Sequence, residues 1–67
     1  MIEVTVNGKA HRFEAPMNVS AVLERLAMAG KKLAVERNGE IVPRGLHAET
    51  LLEHGDQLEI VVAVGGG

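Results

Sequence analysis

The chain has 67 residues, 46% apolar and 24% charged, with a net charge of −2 and no cysteine. That length predicts one domain with a small core. The composition excludes a disordered chain, and the lack of cysteine excludes disulfide and thiolate-metal staples. The acidic balance, with Lys31-Lys32 the only paired cations and Phe13 the only aromatic residue, argues against a nucleic-acid binder.

"IEVTV" alternates, with Ile2, Val4 and Val6 on one face and Glu3 and Thr5 on the other. This predicts a half-buried strand. Asn7-Gly8 supplies the two positive-φ positions of a type I′ turn, and a two-residue loop fixes the register. Val6 then pairs with Lys9, Val4 with His11 and Ile2 with Phe13, so Lys9 to Glu14 is the second strand. Pro16 ends the pattern. Asn18 is placed as an N-cap. Val19, Val22, Leu23 and Leu26 follow at helical spacing, with Met17 and Val22 at the staple positions. One helix is expected over Val19 to Ala29, closed by Gly30 in the left-handed C′ position.

"LAVER" reads as a third strand with Leu33 and Val35 inward. Asn38-Gly39 is a second hairpin turn, and "EIV" a short fourth strand stopped by Pro43. Arg44 to Glu53 is irregular, with one helical turn expected in "AETLLE" and Leu46, Leu51 and Leu52 as its apolar anchors. Gly55-Asp56 turns into the last strand, Gln57 to Val64, where Leu58, Ile60, Val62 and Val64 form the inward set. This strand is the most apolar, which predicts a central position. Beside strand one it would run parallel, flanked by the two hairpins. The expected fold is α+β, a β-grasp with a mixed sheet of four to five strands and one main helix on one face. Residues 1–64 would be the domain and residues 65–67 a glycine tail.

No basic stretch followed by an apolar run marks a signal peptide, and no apolar run approaches the roughly 20 residues of a membrane span. A soluble cytoplasmic domain is expected. His11, His47 and His54 lack metal-ligand spacing, so no metal site is expected. Ser20 has no base in its sequence neighbourhood, and no glycine loop opens a helix as a phosphate cradle would. The chain shows no catalytic set of its own.

The terminal "VVAVGGG" is read either as a frayed end or as a tail for a partner to grip. Glycine removes side chains that would obstruct a narrow channel, and three extended residues span at most about 10 Å. Val61 and Ala63 are expected on the open sheet face beside Thr5. That apolar strip is either a docking surface or β-propensity on a solvated face. Arg44 and Arg37 are candidate partners for acidic residues on a docked protein.

Four stretches carry a resemblance over essentially the whole chain: "VNGK", "NVSAVLERL", "VERNGEIVPR" and "GDQLEIVVAVGGG". Through them the chain resembles the ubiquitin-like sulfur carriers of thiamine biosynthesis, the ThiS family. The resemblance implies that the carboxylate of Gly67 is adenylated with ATP by a partner of the ubiquitin-activating type (ThiF-like). A sulfur donor protein then supplies the sulfur of a thiocarboxylate, and a thiazole synthase (ThiG-like) receives it. Gly65 and Gly66 would be the slender lead. Gly65 is a departure, since the minimal family tail is Gly-Gly. The chain would be a carrier and co-substrate, binding no cofactor itself, with no nucleic-acid or membrane partner. The alternatives are the small subunit of molybdopterin synthase, whose chains are usually longer, a ubiquitin-like protein modifier, and an interaction domain with an inert tail.

Overall fold

A computed structural model describes residues 1–63. Its elements are β1 (Ile2–Val6), β2 (Lys9–Phe13), α1 (Val19–Arg25), β3 (Leu33–Arg37), β4 (Glu40–Val42), a 3₁₀ turn (Arg44–Leu46) and β5 (Gln57–Val62). The strands form one five-stranded sheet in the order β2-β1-β5-β3-β4. β5 runs parallel to β1 and antiparallel to β3, so the last strand is central as expected. Val64 and the glycines at 65–67, the expected tail, lie outside the described residues.

The first hairpin has the expected register, with Val6 opposite Lys9 and Ile2 opposite Phe13. Its turn residues Asn7 and Gly8 take φ values of 50° and 83°. Asn38 and Gly39 repeat the arrangement at 51° and 87°. The inward strand residues Val4, Val6, Phe13, Val35, Leu58 and Ile60 meet Val19, Val22 and Leu23 of the helix, with Leu52 sealing one side. The core is therefore almost entirely aliphatic, and its only aromatic ring, Phe13, lies beside half-buried His11 at 6.4 Å between centroids.

The helix is capped as expected: the Asn18 Oδ1 accepts from the Ala21 N–H at 2.7 Å. It ends earlier than expected, at Arg25. The left-handed residue that closes it is Ala27, at φ 58°, and not Gly30. The Met28 N–H reaches the Leu23 carbonyl at 2.8 Å and the Ala27 N–H reaches that of Glu24 at 3.1 Å. These are the two bonds of a Schellman motif, completed by packing of Leu23 and Met28 in one apolar cluster. The apolar spacing stops at Leu26, and Met28 gains burial only if the chain turns there. The alanine holds a conformation that costs an L-residue about 1–2 kcal/mol. Part of that gain is offset by the greater unfolded-chain entropy of glycine. Ala27→Gly is thus expected to raise Tm in thermal unfolding by about 2–8 °C for a domain this small.

The expected helical turn in "AETLLE" is not formed. The chain makes its 3₁₀ turn earlier, at Arg44–Leu46, continues in turns through Glu49 and from Thr50 runs extended beside the start of the helix. The Val19 N–H donates to the Thr50 carbonyl and the Leu52 N–H to that of Met17. This strap buries Leu52 at 1% exposure but leaves the other expected anchors, Leu46 and Leu51, at 45% and 58%. His47 is buried instead, its Nε2 lying 3.1 Å from the Val42 carbonyl. A carbonyl only accepts, so this nitrogen carries the proton. Among the described residues no helix is long and apolar enough to cross a membrane.

Candidate functional site

The functional question concerns β5, because the glycine run continues from it in sequence. Its neighbours on both sides hold it with side chains as well as backbone. On the β1 side the Asn7 N–H donates to the Leu58 carbonyl at 2.9 Å. The Asn7 side chain then continues the ladder: its Oδ1 accepts from the Ile60 N–H at 2.7 Å and its Nδ2 donates to the Ile60 carbonyl at 3.1 Å. A carboxamide has a donor and an acceptor in one plane, so it takes the place of one more peptide group of β1.

Asn38 holds the start of β5 from the β3 side with its backbone N–H and its side-chain oxygen. Its N–H donates to the Gln57 carbonyl at 2.8 Å and its Oδ1 accepts from the Gln57 N–H at 2.9 Å. Its Nδ2 donates to Asp56 Oδ1 at 3.1 Å. Asp56, 6% exposed, also accepts at Oδ2 from Arg37 Nε at 2.9 Å and from the Glu53 N–H at 2.8 Å. Burial pushes its carboxyl up. The hydrogen bonds from Glu53, Asn38 and Arg37, with the Arg37 charge, outweigh burial and hold it below the ordinary value.

The sequence-predicted site residues separate into groups. Val61 is 63% exposed and sits directly opposite Ala34, itself exposed. Ala63 is exposed and Thr5 half-buried. Alternation places these four on the outer face of the sheet, away from the helix. One rung beyond Val61, Glu59 stands opposite Glu36 on the same face, a like-charge pair with no cation in ion-pair range among the described residues. Arg37 is on the other face and is engaged inside the domain, by Asp56 at 2.9 Å and Glu53 at 3.9 Å. Arg44 is exposed, with Nη2 donating to the Lys31 carbonyl at 3.2 Å. Gly65, Gly66 and Gly67 lie outside the described residues. Among the described residues no three His, Asp or Glu side chains gather as a metal site would require.

Sequence reasoning placed both Asn-Gly pairs in turns and missed their grip on β5. A signal was present. Asp-Gly or Gly-Gly would turn as well, but only asparagine both donates and accepts.

A mixed five-stranded sheet with its last strand central and one helix across one face defines the ubiquitin-like β-grasp. Within that class, a model of the ThiS family matches residues 4–67, and the chain belongs to the ThiS family. The crystal structure of the thiamine biosynthesis protein ThiS from Geobacter metallireducens superposes with a TM-score of 0.82. It is 33% identical and covers 98% of this chain and 100% of its own. The chain is also 44% identical over 66 residues to a thiazole synthase of Paramagnetospirillum magneticum, and 38% identical to one of Magnetococcus marinus. It spans 98% of itself in both matches but only 20% of the length of those synthases. The protein ycf40 of Pyropia yezoensis is 32% identical over 98% of this chain and 93% of its own.

Proposed function

We propose that this chain is a sulfur carrier for thiazole formation in thiamine biosynthesis, acting as a co-substrate and not as a catalyst. An oxygen of the Gly67 carboxylate attacks the α-phosphorus of ATP on an adenylating partner, and pyrophosphate leaves. Sulfide (HS−), released by a donor protein, then attacks the carbonyl carbon, AMP leaves as the C–O bond to its phosphate breaks, and a thiocarboxylate remains for a thiazole synthase to use. The chain itself binds no cofactor, and the chemistry belongs to the cytoplasm, where ATP is abundant.

The observation that carries this reading is that the ThiS family match runs through the glycine tail to residue 67. The fold is consistent with it, since the strand leading to the tail is central in the sheet and bonded on both sides. Two thiazole synthases contain a segment similar to this whole chain within one polypeptide, which supports a synthase of that kind as the sulfur acceptor.

The test is the intact mass of the protein after incubation with ATP, a ThiF-like adenylating enzyme and a sulfide source. The expected result is exchange of one oxygen for sulfur, lost when Gly67 is deleted. No mass change with an enzyme that is competent on another carrier overturns the proposal. Sulfur released to the large subunit of molybdopterin synthase, and not to thiazole synthase, would assign the other pathway. Attachment to lysines of other proteins would make the chain a modifier.

A further inference from the structure

Three residues with cationic side chains meet where the described chain ends. The Ala63 N–H donates to the Lys32 carbonyl at 2.8 Å, so Lys32 stands beside the residue from which the tail continues. Arg44 donates to the Lys31 carbonyl at 3.2 Å, which draws the 3₁₀ turn to the same place. Lys31, Lys32 and Arg44 are all exposed, and none has a carboxylate in ion-pair range among the described residues, whereas Arg12 and Arg37 do. Glu24 lines the same groove as Lys31 and Arg44 but does not pair with either. Three of the seven Lys and Arg residues of a chain with net charge −2 thus lie on segments that meet beside Ala63.

We infer that Lys31, Lys32 and Arg44 are an electrostatic docking site for Asp and Glu side chains on the rim of the adenylating partner's tail channel. The inference rests on the carrier reading above. Any protein that takes in the tail must bring the mouth of its channel up to Ala63, and so up to these three side chains. ATP is the other anion in such a complex. Residues 64–67 reach at most about 13–14 Å, and a tail threaded into a channel uses most of that length. The nucleotide reacting at Gly67 is then remote from the tail's start, and the surface met there is protein. Opposed charges at such a rim act mainly on encounter and are screened by salt.

The test compares the full chain with the variant Lys31→Gln, Lys32→Gln, Arg44→Gln as substrates in ATP–pyrophosphate exchange by a ThiF-like enzyme. At low salt the variant should raise KM for the carrier about tenfold with kcat unchanged, and the KM of the parent, not the variant, should climb with salt. Lys9→Gln with Arg25→Gln removes two exposed charges elsewhere and should leave KM within about twofold of the parent. Lys32→Gln alone, a side chain with no hydrogen bond among the described residues, should show part of the effect and guards against a folding defect. An unchanged KM in the triple variant, an equal rise in the Lys9/Arg25 control, or a rise in KM for ATP instead overturns the docking site while leaving the carrier reading intact. No exchange with the parent chain removes both.

Discussion

Asn7→Ala is expected to lower the unfolding free energy by about 3–4 kcal/mol in urea titration. The variant loses both amide bonds to Ile60, whose residue is 5% exposed, and each bond is worth about 1 kcal/mol. It also forces an alanine to the φ of 50° that Asn7 holds, at about 1–2 kcal/mol. Asn7→Gly relieves the backbone and still loses the amide, so its loss should be about 2 kcal/mol. If the two variants were equally stable, the amide would account for the whole effect and left-handed strain for none. If Asn7→Gly matched the parent, the amide would contribute nothing to the ladder. A domain of this size is stable by only about 3–10 kcal/mol, so the alanine variant should be close to unfolding.

Asp56→Asn should cost about 2–4 kcal/mol at neutral pH, because an amide cannot accept from Arg37, Asn38 and Glu53 together and leaves the half-buried Arg37 without its charge partner. The pH dependence gives a second reading. The folded-state pKa of Asp56 is depressed, so its stabilising contribution is complete above the unfolded value of about 3.9. It is lost as pH falls below that value and through the lower folded one. Urea midpoints measured from pH 7 downward should therefore keep a constant gap between parent and variant to about pH 4 and narrow it only at lower pH. A gap that stayed constant at that lower pH as well would mean that the carboxylate charge is not what Arg37 and Asn38 recognise.

Much of the fold could be read from the chain because its signals are local. Alternation in "IEVTV", two Asn-Gly turns and the Asn18 cap each specify geometry within a few residues, and the first hairpin register follows from turn length alone. The centrality of β5 was legible from its apolar run. The features that escaped are set by distant partners. The helix closes at Ala27 and not at Gly30 because burial of Met28 outweighs the backbone preference of alanine. The segment at residues 50–52 stays extended because backbone groups of Met17 and Val19 claim it, more than thirty residues away in sequence. Of the candidate site, the outer face with Val61 and Ala63 followed from alternation, while the withdrawal of Arg37 into the Asp56 network depended on the corner where β3 meets the start of β5. The grouping of Lys31 and Lys32 with Arg44 has no sequence signature, since it is created where β5 meets the approach to β3 and where Arg44 of the 3₁₀ turn reaches back to the Lys31 carbonyl.

The parallel pairing of β1 with β5 has a mechanical consequence. If a partner grips the tail while the other end of the chain is held, the pull runs along both strands in opposite directions. Neighbouring strands loaded in this way slide against each other, and their cross-links share the force instead of opening one after another. Only two residue pairs of β1 and β5 are in register, Thr5 with Gln57 and Val6 with Leu58. The Asn7 amide adds a further tie at Ile60, nearest the end that is pulled. Load applied in this direction is resisted in shear, and a turn asparagine is one of the ties that carry it.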